Sequence, residues 1–232
     1  MPTKLVLGLQ HGDEGKGRVV DDLTESWADV VVRFQGGGNA GHTVYDRSGN
    51  KFVTHILPVG IIQSKLKNKK ILNVISRGCV LNVSDLYEEL ISFNAVEELT
   101  NNDLQISGYC PLIEPTHILL DRAKYQGKLG TTARGIGPAY SDFYARDSIL
   151  FKDFIADSES SLNKIYKKFL DFQTNIADLG ATNNQINDNF AFYNDWVTNY
   201  KKSVNALSQY LMNDETTIST LYNLGKNILL EG

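Results

Sequence analysis

Cysteine is nearly absent. Cys79 and Cys110 are the only 2 in a chain of 232 residues, and no metal-type spacing links them. That argues against a disulfide scaffold and sets the expectation of a reduced, cytoplasmic protein. A basic surplus is missing as well. The formal net charge is −4, so no positive field points to nucleic acid or an anionic membrane as partner. No apolar run reaches transmembrane length, and no internal repeat occurs, so neither a membrane span nor a repeat array is expected. Met1-Pro2-Thr3-Lys4 leads straight into a strand pattern and does not read as a signal peptide.

What remains is an ordinary globular composition, 42% hydrophobic and 22% charged. It is long enough for one large domain or two small ones with a real core. The most informative stretch is residues 4–17. An apolar run over residues 5–9 reads as a buried strand. A loop carrying Gly12, Gly15, Lys16 and Gly17 follows, and then Val19, Val20, Leu23 and Trp27 recur at helical spacing. Strand, glycine loop and helix form a geometry that cradles phosphate. Backbone N–H groups point into the loop, the helix N-terminus adds partial positive charge, and Lys16 can reach a terminal phosphate.

The loop departs from the Walker pattern, which places Gly five residues before Gly15 and Ser or Thr after the lysine. Gln10 and Gly17 hold those positions. Without that hydroxyl, Mg²⁺ must take a protein oxygen elsewhere, and Asp13 inside the loop is the candidate. A carboxylate there repels phosphate unless a metal or a chemical role offsets it.

Further strands are expected at residues 29–33, 70–75, 104–107 and 227–231, with a hairpin around residues 46–50. Residues 35–43 form a glycine-rich loop carrying Asn39 and His42. Residues 83–93 read as a helix. Residues 129–140, dense in Gly and Thr, read as a loop suited to an anionic ligand. Beyond residue 150 the character changes to helical aromatic stripes. One holds Leu162, Ile165, Tyr166, Phe169 and Leu170; the other holds Trp196, Tyr200, Val204, Leu207 and Leu211. They read as packing faces, with a polar connection over residues 183–189 between them.

Four motifs recur in one order: Gly12-Asp-Glu-Gly-Lys-Gly17 with Asp21, Gly38-Asn-Ala-Gly-His-Thr43, His55-Ile-Leu-Pro-Val-Gly-Ile61, and Gly130-Thr-Thr-Ala-Arg-Gly-Ile-Gly-Pro-Ala-Tyr140 with Arg146. Together they resemble the adenylosuccinate synthetase family, which joins L-aspartate to IMP with GTP as the energy source. The resemblance implies a P-loop-related α/β fold, with a mixed, largely parallel central sheet, surrounding helices and a helical insertion. It also implies a C–N bond-forming ligase of AMP biosynthesis, a homodimer and Mg²⁺ as cofactor. The expected division is a nucleotide-binding core over residues 1–150, a helical insertion over 151–226, and the start of a further core strand over 227–232. The sequence departs from the family at His11 (commonly Trp), Gly37 (often His), Ala133 (commonly Gly) and Phe143 (commonly Lys). The last argues against a role for charge at that position.

Carried over residue by residue, the resemblance implies that Asp13 removes the purine N1 proton and His42 assists phosphoryl transfer. Gly12, Asp13, Glu14, Gly15, Lys16, Gly17, Arg18, Gly41, His42 and Thr43 would hold GTP. Asp13, Gly38, Asn39, Ala40, Gly41, Thr132 and Arg146 would hold IMP, with Arg146 reaching across a dimer interface. Asp13 and the Gly41 carbonyl would ligate Mg²⁺. The alternative for Arg146 is a surface ion pair with Asp142 or Asp147. Arg33 and Arg134 stand at even odds as phosphate contacts, His55 reads as structural, and His117 has no assigned role. The family's chains are considerably longer, so the expectation is a truncated chain, inactive alone. Two other readings stay open: a nucleotide-hydrolysing switch, against which stands the absence of an Asn-Lys-x-Asp guanine motif, and a phage-type relative using dGMP in place of IMP.

Overall fold

A computed structural model describes residues 3–10, 14–39, 41–45, 51–67, 69–93, 98–125 and 132–232. The chain runs β1 (Thr3–Val6), α1 (Lys16–Ser26), β2 (Val30–Arg33), β3 (His42–Tyr45), β4 (Lys51–Thr54), α2 (Gly60–Lys67), β5 (Leu72–Ile75) and α3 (Val83–Ser92). It continues with β6 (Leu104–Ile106), α4 (Pro115–Tyr125), α5 (Ile136–Tyr144), α6 (Phe151–Ala156), α7 (Ser158–Asp178), α8 (Asn183–Leu207), α9 (Thr217–Asn223) and β7 (Ile228–Glu231).

Among the described residues the central sheet has 5 strands in the order β1-β7-β2-β5-β6. Every pairing within it is parallel. The antiparallel component is the separate hairpin β3–β4. Three consecutive valines, Val30 to Val32, suit β2 to the middle of a sheet covered on both faces, and all its residues are buried. The last strand, β7, is also interior, threaded between β1 and β2.

That order corrects the reading of residues 5–9 as a buried strand. The strand is Thr3–Val6 and lies at the sheet edge, where Leu5 is half-exposed and Leu9, past its end, is 95% exposed. Along α1 the buried residues are Gly17, Val20 and Thr24, spaced by three and four, so Val19 falls outside the stripe and is exposed. The Thr24 hydroxyl, buried in this stripe, donates to the Val20 carbonyl at 2.6 Å.

Helices α2 and α4 were not legible as such in the sequence. Pro115 opens α4 at the position where a missing N–H costs nothing. Of the loop expected at residues 129–140, the portion from Ile136 onward is helix α5. The polar connection expected at residues 183–189 is instead the first two turns of α8. Thr182 starts that helix with a capping box: its hydroxyl accepts from the Gln185 N–H, and the Gln185 side chain accepts from the Thr182 N–H. The aromatic stripes of α7 and α8 pack on each other, with ring centroids of Phe169 and Tyr193 4.5 Å apart, and within α8 those of Trp196 and Tyr200 are 4.0 Å apart. Such pairs add about 0.5–1.5 kcal/mol each beyond the area they bury. Among the described residues, no helix is long and apolar enough to cross a membrane.

Candidate active site

In a parallel sheet all strands end on one edge, and the loops leaving that edge form the crevice where ligands bind. Here the segments after β1, β2 and β5 meet Gly232, just past β7, at a cleft of about 640 Å³. Lys16, Arg33, Asn39, Gly78, Tyr140 and Gly232 are among the residues that line it.

Gly15, in the left-handed region at φ 75°, turns the chain into α1, and among the described residues no side chain caps that helix. The first N–H groups of a helix have no intrahelical partner, so this end is suited to an anion. Glu14 is engaged on both sides. It accepts from the Gln10 N–H at 2.9 Å and pairs with Lys16 Nζ at 2.8 Å. The structure also accounts for Gly17 in place of a Walker hydroxyl residue. A Cβ at Gly17 would lie 3.2 Å from His42 Cβ and 3.3 Å from His42 Cα. The start of α1 and the first residue of β3 are thus in direct contact.

His42 is buried, and behind it stands Glu231, the last residue of β7. His42 Nδ1 is 2.5 Å from Glu231 Oε1. The same oxygen accepts from Arg33 Nη1 at 3.1 Å, and Oε2 accepts from the Val59 N–H at 3.0 Å. Burial pushes the Glu231 carboxyl up, but the His42 hydrogen bond, the Arg33 charge and the Val59 N–H hold it below the ordinary glutamate value. Three groups, each far from Glu231 in sequence, are tied to one fully buried carboxylate.

Other side chains brace the loops around the cleft. The Tyr140 hydroxyl accepts from the Gly36 N–H at 2.9 Å and donates to the Gly78 carbonyl at 2.7 Å, joining the turns after β2 and β5. Arg134 Nη1 donates to the Gly38 carbonyl. Asp121 accepts from the Gly135 N–H at 2.8 Å. Glu89 on α3 accepts from the N–H groups of His55, Ile56 and Leu57.

Of the residues singled out in the sequence, Gly12, Asp13 and Ala40 lie outside the described residues. Glu14, Gly15, Lys16, Gly17 and Arg18 form the loop end and first turn of α1. Gly38 and Asn39 follow β2, and Gly41, His42 and Thr43 lead into or lie on β3. These two groups are brought together at Gly17 and His42. Thr132 and Arg146 are exposed, and neither is among the residues lining the cleft. Arg146 sits just past α5 at φ 61° and makes no ion pair among the described residues. Asp142 and Asp147, considered as its partners, are taken by Lys168 at 2.8 and 3.0 Å. Arg33, read at even odds as a phosphate contact, is the counter-charge of Glu231.

His117 also has a place. Its Nδ1 accepts from the Glu114 N–H at 3.0 Å, and Nε2 is 3.1 Å from Asp142. Glu114, His117 and Asp142 are close enough to hold a metal ion, but Lys168 Nζ lies 3.4 Å from Glu114 and 2.8 Å from Asp142 and supplies the cation. The cluster ties α4, α5 and α7 together.

Residues 5–232 match the family model described as adenylosuccinate synthetase. This chain belongs to the adenylosuccinate synthetase family. It is 34% identical over 238 residues to the adenylosuccinate synthetase of Thermodesulfovibrio yellowstonii, covering all of this chain and 52% of that one. Against the Psychrobacter sp. enzyme it is 38% identical over 234 residues, covering 98% and 51%. The structure of fully ligated adenylosuccinate synthetase from Plasmodium falciparum superposes with a TM-score of 0.73 at 27% identity, covering 98% of this chain and 50% of that one. A cyanophage S-2L succinoaminodeoxyadenylate synthetase, bound to dGMP and dATP, gives 0.53 at 25% identity over 67% of this chain and 42% of that one. The chain spans about half the length of the curated relatives it matches.

Against this family background, sequence reasoning missed Glu231 and Tyr140 as parts of the site. Both stood inside recognised stretches, Leu230-Glu231-Gly232 and the segment ending at Tyr140. A lone acid closing an apolar strand was the one available signal for Glu231.

Proposed function

We propose that this chain carries the phosphate-handling part of a GTP-dependent ligase that joins L-aspartate to IMP, giving adenylosuccinate, GDP and phosphate. The observation that carries this reading is the contact of Gly17 with His42, inside a family match that runs through both. In the proposed first step, the Asp13 carboxylate takes the N1 proton of IMP. The electron pair left behind makes O6 nucleophilic, and O6 attacks the γ-phosphorus as the bond to GDP breaks. His42 assists where charge develops in this transfer, and Lys16 with the N–H groups of α1 holds the phosphate chain. In the second step the aspartate amine attacks C6 of the 6-phosphoryl intermediate and phosphate leaves.

Asn39 and Thr132 hold IMP, and Arg146 of a second copy reaches its phosphate, a contact suited to a guanidinium. The donors proposed for Mg²⁺, the Asp13 carboxylate and the Gly41 carbonyl, are hard oxygens of the type this ion takes. Bound there, the ion would neutralise charge on the phosphate oxygens. We assign residues 1–150 to a nucleotide-binding core, 151–226 to a helical insertion and 227–232 to a further core strand. Because the relatives are about twice as long as this match, the chain alone is proposed to be inactive.

A second reading, dGMP in place of IMP, draws on the cyanophage likeness. The test is a chimera in which residues 1–232 replace the matching part of the Thermodesulfovibrio yellowstonii relative, supplied with GTP, Mg²⁺, aspartate and either purine. Mass spectrometry of the products should find adenylosuccinate from IMP. Product from dGMP alone would install the second reading, and phosphate release without any purine would replace both with a hydrolysing switch.

A further inference from the structure

Two buried histidines in this chain are held in opposite ways. His117 Nδ1 accepts from a backbone N–H, that of Glu114, and a peptide N–H has no alternative to donating. The proton of the neutral His117 ring is therefore on Nε2, which faces Asp142 at 3.1 Å. Both ring nitrogens of His117 are occupied, and it is a structural histidine.

His42 is turned the other way. Its Nδ1 meets Glu231, whose two oxygens also accept from the Arg33 guanidinium and the Val59 N–H. Both of those groups are donors with no acceptor capacity, and an ionised carboxylate accepts only. The proton between His42 and Glu231 must therefore belong to Nδ1. Nε2 is left over: it is buried and has no hydrogen-bond partner among the described residues. Buried ring nitrogens are ordinarily satisfied, so an open one marks a place where a partner is expected. On the other side of the residue, Gly17 at the start of α1 packs against His42 Cα and Cβ.

We propose that Glu231 is a positioning residue for His42, fixing its ring in the Nδ1–H tautomer so that Nε2 is the atom kept for the ligand. Arg33 and the Val59 N–H in turn hold the carboxylate in register. The assignment of that ligand as a nucleotide phosphate rests on the proposed function; the tautomer does not. Neither Arg33 nor Glu231 needs to touch substrate for the arrangement to work.

The test is ¹⁵N NMR of the 232-residue chain labelled at its 4 histidines, with His42 assigned by its loss in His42→Asn. The expected spectrum has two opposite patterns. His42 shows a protonated-type Nδ1 and a lone-pair-type Nε2, and His117 shows the reverse. A wild-type His42 carrying its proton on Nε2 overturns the proposal with no variant needed. In Glu231→Gln the amide can donate or accept, so His42 should become a mixture of tautomers while His117 stays as it was. An unchanged His42 pattern in that folded variant also overturns it. Added Mg²⁺ and GTP should shift Nε2 and leave Nδ1 in place; a shift confined to Nδ1 contradicts the assignment of the open atom. If GTP moves neither nitrogen while the tautomer is as stated, the assignment of the ligand as a nucleotide phosphate fails and the positioning role stands.

Discussion

Lys16 Nζ lies 2.8 Å from Glu14 Oε2, so the cation at the start of α1 is engaged by a carboxylate two residues before it. A phosphate reaching Lys16 shares or competes for its charge with that carboxylate. Hydrogen bonds to charged groups are worth about 1.5–3 kcal/mol, so Lys16→Ala should weaken GTP binding by roughly tenfold to a hundredfold. The pair is partly buried, its side chains 21% and 15% exposed, and pairs near the surface are worth about 0.2–1 kcal/mol. Glu14→Gln should therefore tighten GTP binding by no more than about fivefold, an effect fading with added salt. Calorimetric titration of the variants measures both. Weaker binding in Glu14→Gln would mean that Glu14 itself holds the nucleotide.

In the chimera, Asp13→Asn should lower adenylosuccinate formation by at least about a hundredfold, the lower end of what a positioned base contributes. GTP affinity should change little. Initial rates paired with a binding titration separate the two effects, and near-normal turnover would remove Asp13 from the role of base.

His42→Asn should reduce kcat by about 10²–10³ with KM nearly constant, because its partner charge grows only during transfer. Steady-state kinetics decide the matter. A large rise in KM at unchanged kcat would make His42 a ground-state binding residue.

The partly buried cluster at α4, α5 and α7 makes a prediction about acid. Hydrogen bonds from His117 and Lys168 hold the Asp142 carboxyl well below the ordinary range, although burial opposes them. A depressed carboxyl contributes stability that is present above the unfolded value near about 3.9 and is lost as pH falls through the folded value. Glu114 beside it acts with the opposite sign, because burial raises its carboxyl. Thermal melts should accordingly find Asp142→Asn less stable than wild type at pH 5 to 7, with the gap closing in stronger acid. A gap that widened on acidification would refute the assignment.

How far the sequence reached depended on how local each feature is. Gly15, Lys16 and Gly17 were legible because loop, lysine and helix start are adjacent in the chain. The valines of β2 were legible because a strand covered on both faces is apolar throughout. Leu5 to Leu9 misled because exposure of a strand is decided by its place in the sheet, and only the strand order puts β1 at an edge. The start of α8 misled because its asparagines hide a helix whose beginning is set by the Thr182–Gln185 capping box. Glu231 was beyond reach for the plainest reason: its partners Arg33, His42 and Val59 are met only through the pairing of β7 with β2.

The central claim is that O6 of the purine, not water, takes the γ-phosphoryl group of GTP. IMP carrying ¹⁸O at the 6-position tests this most directly. With the chimera, GTP, Mg²⁺ and aspartate, the released phosphate should carry the label in step with adenylosuccinate formation, because the oxygen that attacked phosphorus leaves with it. Unlabelled phosphate, appearing at a rate indifferent to IMP, would contradict the account and leave a hydrolase.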